Sequence, residues 1–138
     1  MKNLFIIIAI AFCSCSSRPD CDDYLSQMNI KLAEKYIVLN NKSDWAIGDF
    51  TVVFRLKIGD KDLKTIKSKI QHLASFKDLE KDSLNFSCST LGNSDKINGW
   101  KKGTTYGYEI EKAVTKSGNE RYSLYLRENI LTFAYNQE

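Results

Sequence analysis

Proline and histidine are nearly absent from this 138-residue chain, with one of each. A single histidine, His72, cannot supply the paired ligands of a zinc site, and the chain has no C-x-x-C or H-x-x-x-H. No G-x-S-x-G is present, so a serine nucleophile lacks its elbow. The phosphate cradles G-x-G-x-x-G and G-x-x-x-x-G-K-[ST] are missing as well, which removes dinucleotide and nucleotide cofactors. Neither sign of charge dominates: 20 basic and 17 acidic side chains leave +3, without the basic stripe that nucleic acid requires. With seven glycines and that one proline, the chain is no low-complexity segment. Its longest apolar run, Leu4 to Phe12, is nine residues, or roughly 14 Å of helix, about half of a hydrocarbon core.

What surrounds that run is informative. Met1-Lys2-Asn3 is a short basic start, and Cys13-Ser14-Cys15-Ser16-Ser17 follows the apolar segment at once. Charge, apolar run and small-residue cut site in that order form an export signal. With Cys15 as the modified residue, Ser14 stands at −1, Cys13 at −2 and Phe12 at −3. This resembles the lipobox of bacterial lipoprotein precursors, although Phe12 is larger than the usual leucine and Cys13 is unusual at its position. The resemblance implies lipidation of Cys15, a membrane anchor, and a domain in the periplasm or at the cell surface. Ser16 after the cysteine is similar to lipoproteins sent on to the outer membrane. A soluble secreted protein cut beside Ser16 or Ser17 and an uncleaved anchor are the alternatives.

The expected organisation is a signal peptide at 1–14, a tether at 15–19 and one α+β domain at 20–138. The 124 residues left after cleavage suit one domain with one core. Cys21 and Cys88 are then the remaining thiols, and an oxidising envelope favours a disulfide between them. Two buried, unpaired cysteines are the other possibility.

Asp20 fits an N-cap, with Asp22 and Asp23 in the first turn. Cys21, Leu25, Met28, Leu32 and Tyr36 recur at helical spacing and predict a helix of about fifteen residues. Residues 40–44 read as a loop. Phe50, Val52, Phe54, Leu56 and Ile58 alternate as a half-buried strand. After Gly59, with Asp60 or Asp62 as cap, Leu63, Ile66, Ile70, Leu73 and Ala74 give a second amphipathic helix. Residues 77–100 fit neither period, with a short element expected near 84–88. Alternation around Tyr106–Ile110, Tyr122–Leu126 and Leu131–Tyr135 predicts a three-stranded meander with a tight turn at Glu128-Asn129. The fold expected is an antiparallel sheet of four to five strands with two or more helices packed on one face.

Chemistry is sparse. His72 falls outside the apolar face of its helix, and a thiol nucleophile would have to pair Cys21 or Cys88 with it. Asp20, Asp22 and Asp23 look superficially like calcium ligands but lack EF-hand spacing, and capping accounts for them. Glu109 and Glu111, two apart on a strand, place their Cα atoms roughly 6.5–7 Å apart. That is compatible with glycoside hydrolysis and equally with a solvated strand face. Lys61, Lys64, Lys67 and Lys69 could meet anionic head groups or simply face solvent. Aromatic content is the remaining signal. Trp100, Tyr106, Tyr108, Tyr122 and Tyr125 form a candidate binding surface, with cross-strand packing as the competing explanation. Tyr125 has the opposite parity to Leu124 and Leu126, which points it away from the core. These features lead to a non-catalytic envelope lipoprotein binding a protein partner, as an inhibitor, immunity protein or assembly factor. A glycan-binding or glycan-processing accessory lipoprotein is the alternative. No metal and no cofactor is called for.

Overall fold

A computed structural model describes residues 18–46, 48–80, 95–112 and 118–138. Its chain order is α1 (Cys21–Gln27), β1 (Ile37–Ala46), β2 (Asp49–Lys57), α2 (Asp60–Gln71), β3 (Phe76–Asp78), β4 (Lys96–Lys102), β5 (Thr105–Glu111), β6 (Glu120–Arg127) and β7 (Ile130–Gln137). All seven strands join one sheet in the order β1-β2-β7-β6-β5-β4-β3. Every neighbouring pair is antiparallel except β3 and β4. The expected α+β sheet of four to five antiparallel strands with helices packed on one face is thus corrected to a mostly β architecture, with seven strands in mixed pairing and two helices among the described residues.

Alternation explains the centre of the sheet. Phe54, Phe133, Leu124 and Tyr108 stand opposite one another across β2, β7, β6 and β5, and all are buried. The rings of Phe54 and Phe133 stack at 4.5 Å. The same face carries Val52, Tyr135, Tyr122 and Ile110 on one side of that row, and Leu56, Leu131 and Leu126 on the other. Cys21, Leu25, Ile66 and Ile70 from the helices belong to the same cluster. A buried phenylalanine cut to alanine costs about 3–5 kcal/mol, so Phe54 and Phe133 anchor the fold.

The first helix is half the predicted length, seven residues, and the reason is local. Asp20 caps it as expected, its carboxylate accepting from the N–H of Asp22 at 2.9 Å. At the other end Asn29 takes φ 56, Asn29 N–H donates to Ser26 O, and Ile30 N–H donates to Leu25 O. This is a Schellman stop with asparagine in the left-handed position, and buried Ile30 and Leu25 make its apolar contact. Leu32 and Tyr36 continue the helical spacing only by coincidence, reaching the core from an irregular segment.

Residues 40–44, expected as a loop, lie in β1. Among the described residues this edge strand pairs with β2 on one side only, and no apolar alternation marks it. The segment expected near 84–88 and Cys88 lie outside the described residues. The meander is present as β5, β6 and β7, with Glu128 at φ 54 in the turn.

Two polar contacts join the helical layer. Asp62, 3% exposed, does not cap α2; its two carboxylate oxygens accept from Ala33 N–H at 2.9 Å and Glu34 N–H at 3.0 Å. From the same helix Lys69 donates to Met28 O at 3.2 Å and to Asn29 O, placing a cation at the C-terminal end of α1.

Candidate functional site

Strand alternation gives the sheet a second face, which no described helix packs against. One cross-strand row on that face spans all seven strands. Asn40 stands opposite Arg55, Arg55 opposite Thr132, Thr132 opposite Tyr125, Tyr125 opposite Gly107, Gly107 opposite Trp100 and Trp100 opposite Lys77. At one strand spacing per step, Arg55 to Lys77 covers about 24 Å.

Trp100 is the largest side chain of the row. Its indole ring covers Gly107 so closely that a Cβ on that glycine would stand 2.1 Å from Cε2 and 2.5 Å from Nε1. Tyr125 lies beside the indole, ring centroids 6.0 Å apart and tilted by 50°. The Tyr125 hydroxyl donates to Glu109 Oε1 at 3.3 Å. Burial first, and the Glu109 charge second, raise the Tyr125 pKa above its ordinary value, so the phenol is a neutral donor at physiological pH. Ser123, in the neighbouring row opposite Glu109, is 6% exposed beneath these side chains. Arg55 is exposed, while Trp100, Tyr125 and Thr132 are half-buried.

The two glutamates go to separate neighbours. Glu109 accepts from Tyr125, and Glu111 pairs with Lys96 at 3.7 Å. Beyond Glu111, a shallow polar hollow at the strand ends is lined by Glu111, Asn119, Glu120, Arg121, Asn136 and Glu138.

The five aromatic candidates divide between the faces. Trp100 and Tyr125 share the open face. Tyr108 and Tyr122 are in the core at 3% and 6% exposure, and Tyr106 is half-buried beside them with the Lys67 ammonium 5.3 Å from its ring centre. Tyr122 and Tyr135 rings lie 4.9 Å apart, so cross-strand packing accounts for that part of the tyrosine content. What composition could not reveal was Gly107 as the seat of Trp100, because that contact depends on the register between β4 and β5.

The other candidates have local roles. His72 is exposed at the end of α2, its Nδ1 2.7 Å from Ser68 O. Asp20 caps α1, with Asp22 and Asp23 in its first turn. Of the four lysines, Lys61 and Lys64 are exposed; Lys67 sits over Tyr106 and Lys69 holds the end of α1. Cys21 is buried and unpaired among the described residues, and burial pushes the pKa of its thiol up to about 11. Its pairing with Cys88 lies outside the described residues, as does Cys15. Among the described residues no cluster of three metal-binding side chains occurs, and no helix is long and apolar enough to cross a membrane. Comparison with family models, with curated proteins and with solved structures finds no match to this chain.

Proposed function

We propose that the chain is a lipid-anchored envelope protein, non-catalytic, whose open sheet face binds a protein partner as an inhibitor, immunity protein or assembly factor would. The observation that supports this is the single row Arg55–Thr132–Tyr125–Gly107–Trp100. Arginine, tyrosine and tryptophan are the side chains that dominate protein interfaces, because they combine large contact area with a polar end. Here they are half-buried or exposed on a rigid sheet, already oriented by Gly107 and Glu109. The order of charge, apolar run and Cys15 at the N-terminus supports the anchor and the envelope location.

A glycan ligand is the second reading, and the Trp100 ring favours it. The indole is seated on Gly107 beside the Tyr125 ring and half-buried, and two adjacent aromatic rings on an open face suit stacking on a sugar.

Affinity capture of the full-length protein from its own envelope, beside Trp100→Ala and Arg55→Ala, tests the first reading. One stoichiometric protein, held by the parent and lost by both variants, is the expected result. Retention of no envelope protein at native salt, with heat released on titrating cell-wall fragments, would transfer the site to the second reading.

A further inference from the structure

Among the described residues β1 ends the sheet, and its ten residues pair only with β2. It holds four of the five exposed large apolar side chains among the described residues: Ile37, Val38, Leu39 and Trp45, the last 79% exposed. Edge strands usually carry something that prevents further pairing. Here the bulge falls between Val38 and Asn40 and leaves 40–46 regular, without proline.

The charges on this stretch are self-complementary. Lys42 and Asp44 are both exposed, stand two apart on the same face, and make no ion pair within the described residues. A two-residue hairpin loop closes on a pair that exchanges both backbone bonds, here Ala46 and Asp49. Counting back by twos, Asp44, Lys42 and Asn40 direct their backbone groups to β2, whereas Trp45, Ser43 and Asn41 direct theirs outward.

Symmetric antiparallel pairing of two such edges matches outward residues with outward ones, so it centres on a residue, and centring on Lys42 or Asp44 sets like charges directly against each other. Centring on Asn41 runs through the bulge and sets Asp44 against Val38. Centring on Trp45 sets Lys42 against Gly48, where the strand has ended. Only Ser43 places Lys42 of each copy opposite Asp44 of the other, twice, with Asn41 opposite Trp45 and Asn40 opposite Ala46. From there the Trp45 indole reaches diagonally toward the Val38–Leu39 end of the second strand.

We propose that the chain forms a dimer with a second copy of itself through β1, paired antiparallel about Ser43, joining two seven-stranded sheets into one. The interface is isologous, as most homodimer contacts are. It uses the sheet edge and is independent of the partner assigned to the open face.

The test is a charge exchange in the full chain, kept in mild non-ionic detergent and followed by sedimentation. The parent is expected to dimerise. Lys42→Asp sets acid against acid and Asp44→Lys sets lysine against lysine, and each is expected to weaken self-association at least tenfold. An equimolar mixture of the two variants is expected to recover a heterodimer at parental strength. Circular dichroism of each variant separates loss of pairing from loss of fold, and the recovered mixture does so again. Ser43→Cys is expected to give a disulfide-linked dimer on mild oxidation that the parent does not. A monomeric parent, single variants that associate as tightly as the parent, or a mixture that stays monomeric would each overturn the proposal.

Discussion

The Trp100 indole lies over Gly107, with the position of a Cβ on that glycine only 2.1 Å from the ring atom Cε2. A glycine in a strand interior weakens the strand, and close approach of another group is one of the reasons for placing it there. Gly107→Ala should therefore dislodge the indole while leaving the core, which is on the other face, in place. In a Trp45→Phe background Trp100 is the sole tryptophan, and its emission should shift to the red. Binding should fall as far as in Trp100→Ala, with unfolding free energy changed by no more than about 1 kcal/mol.

Asp62 should be the polar residue whose loss costs most. Its carboxylate is the shared acceptor for Ala33 and Glu34 N–H, and asparagine would present an N–H₂ group to one of those donors. Charge-assisted bonds of this kind contribute about 1.5–3 kcal/mol. Asp62→Asn is expected to lower stability by about 2 kcal/mol in urea titrations, and Asp62→Ala by more. Partner binding per folded molecule should stay constant, because the pair lies in the helical layer.

Alkaline pH should unfold the domain, and the sign follows from the direction of the shifts. Burial raises the pKa of Tyr24, Tyr108, Tyr122, Tyr125 and Tyr135 above the ordinary 10.0, and that of Tyr36 to about 12. It raises the Cys21 thiol from 9.0 to about 11. A group whose folded pKa exceeds its unfolded one contributes stability that is intact below the unfolded value and lost as pH climbs through the folded value. Lys69 acts the other way. Burial lowers its pKa, so it favours folding as pH approaches 10.5, one group against seven. Stability measured by urea titration should be level up to about pH 9 and fall from there through about pH 12. Tyrosinate absorbance should rise together with unfolding rather than ahead of it.

How far the sequence could be read depends on which face and which neighbour each residue has. Leu124, Leu126, Leu131 and Phe133 are buried on one face of central strands, so their alternation is legible. β1 shows none, since Ile37, Val38, Leu39 and Trp45 are exposed and Asn40 to Asp44 include no apolar residue. The end of α1 was hidden because Leu32 and Tyr36 keep helical spacing beyond Asn29, whose positive φ stops the helix. Trp100 and Tyr125 were visible as aromatic residues. Their meeting required the β4–β5 and β5–β6 registers, which rest on long-range pairing.

The most direct test of the binding face is site-specific photo-crosslinking in the native envelope. The photoreactive side chain replaces Thr132, between Arg55 and Tyr125 in the row, or Lys64, exposed on α2, in the full-length chain. One protein adduct from position 132, absent from position 64 and abolished by Trp100→Ala, is the result predicted here. The same adducts from both positions, or none from 132 while 64 reacts, would contradict the assignment of the open face as the partner-binding surface.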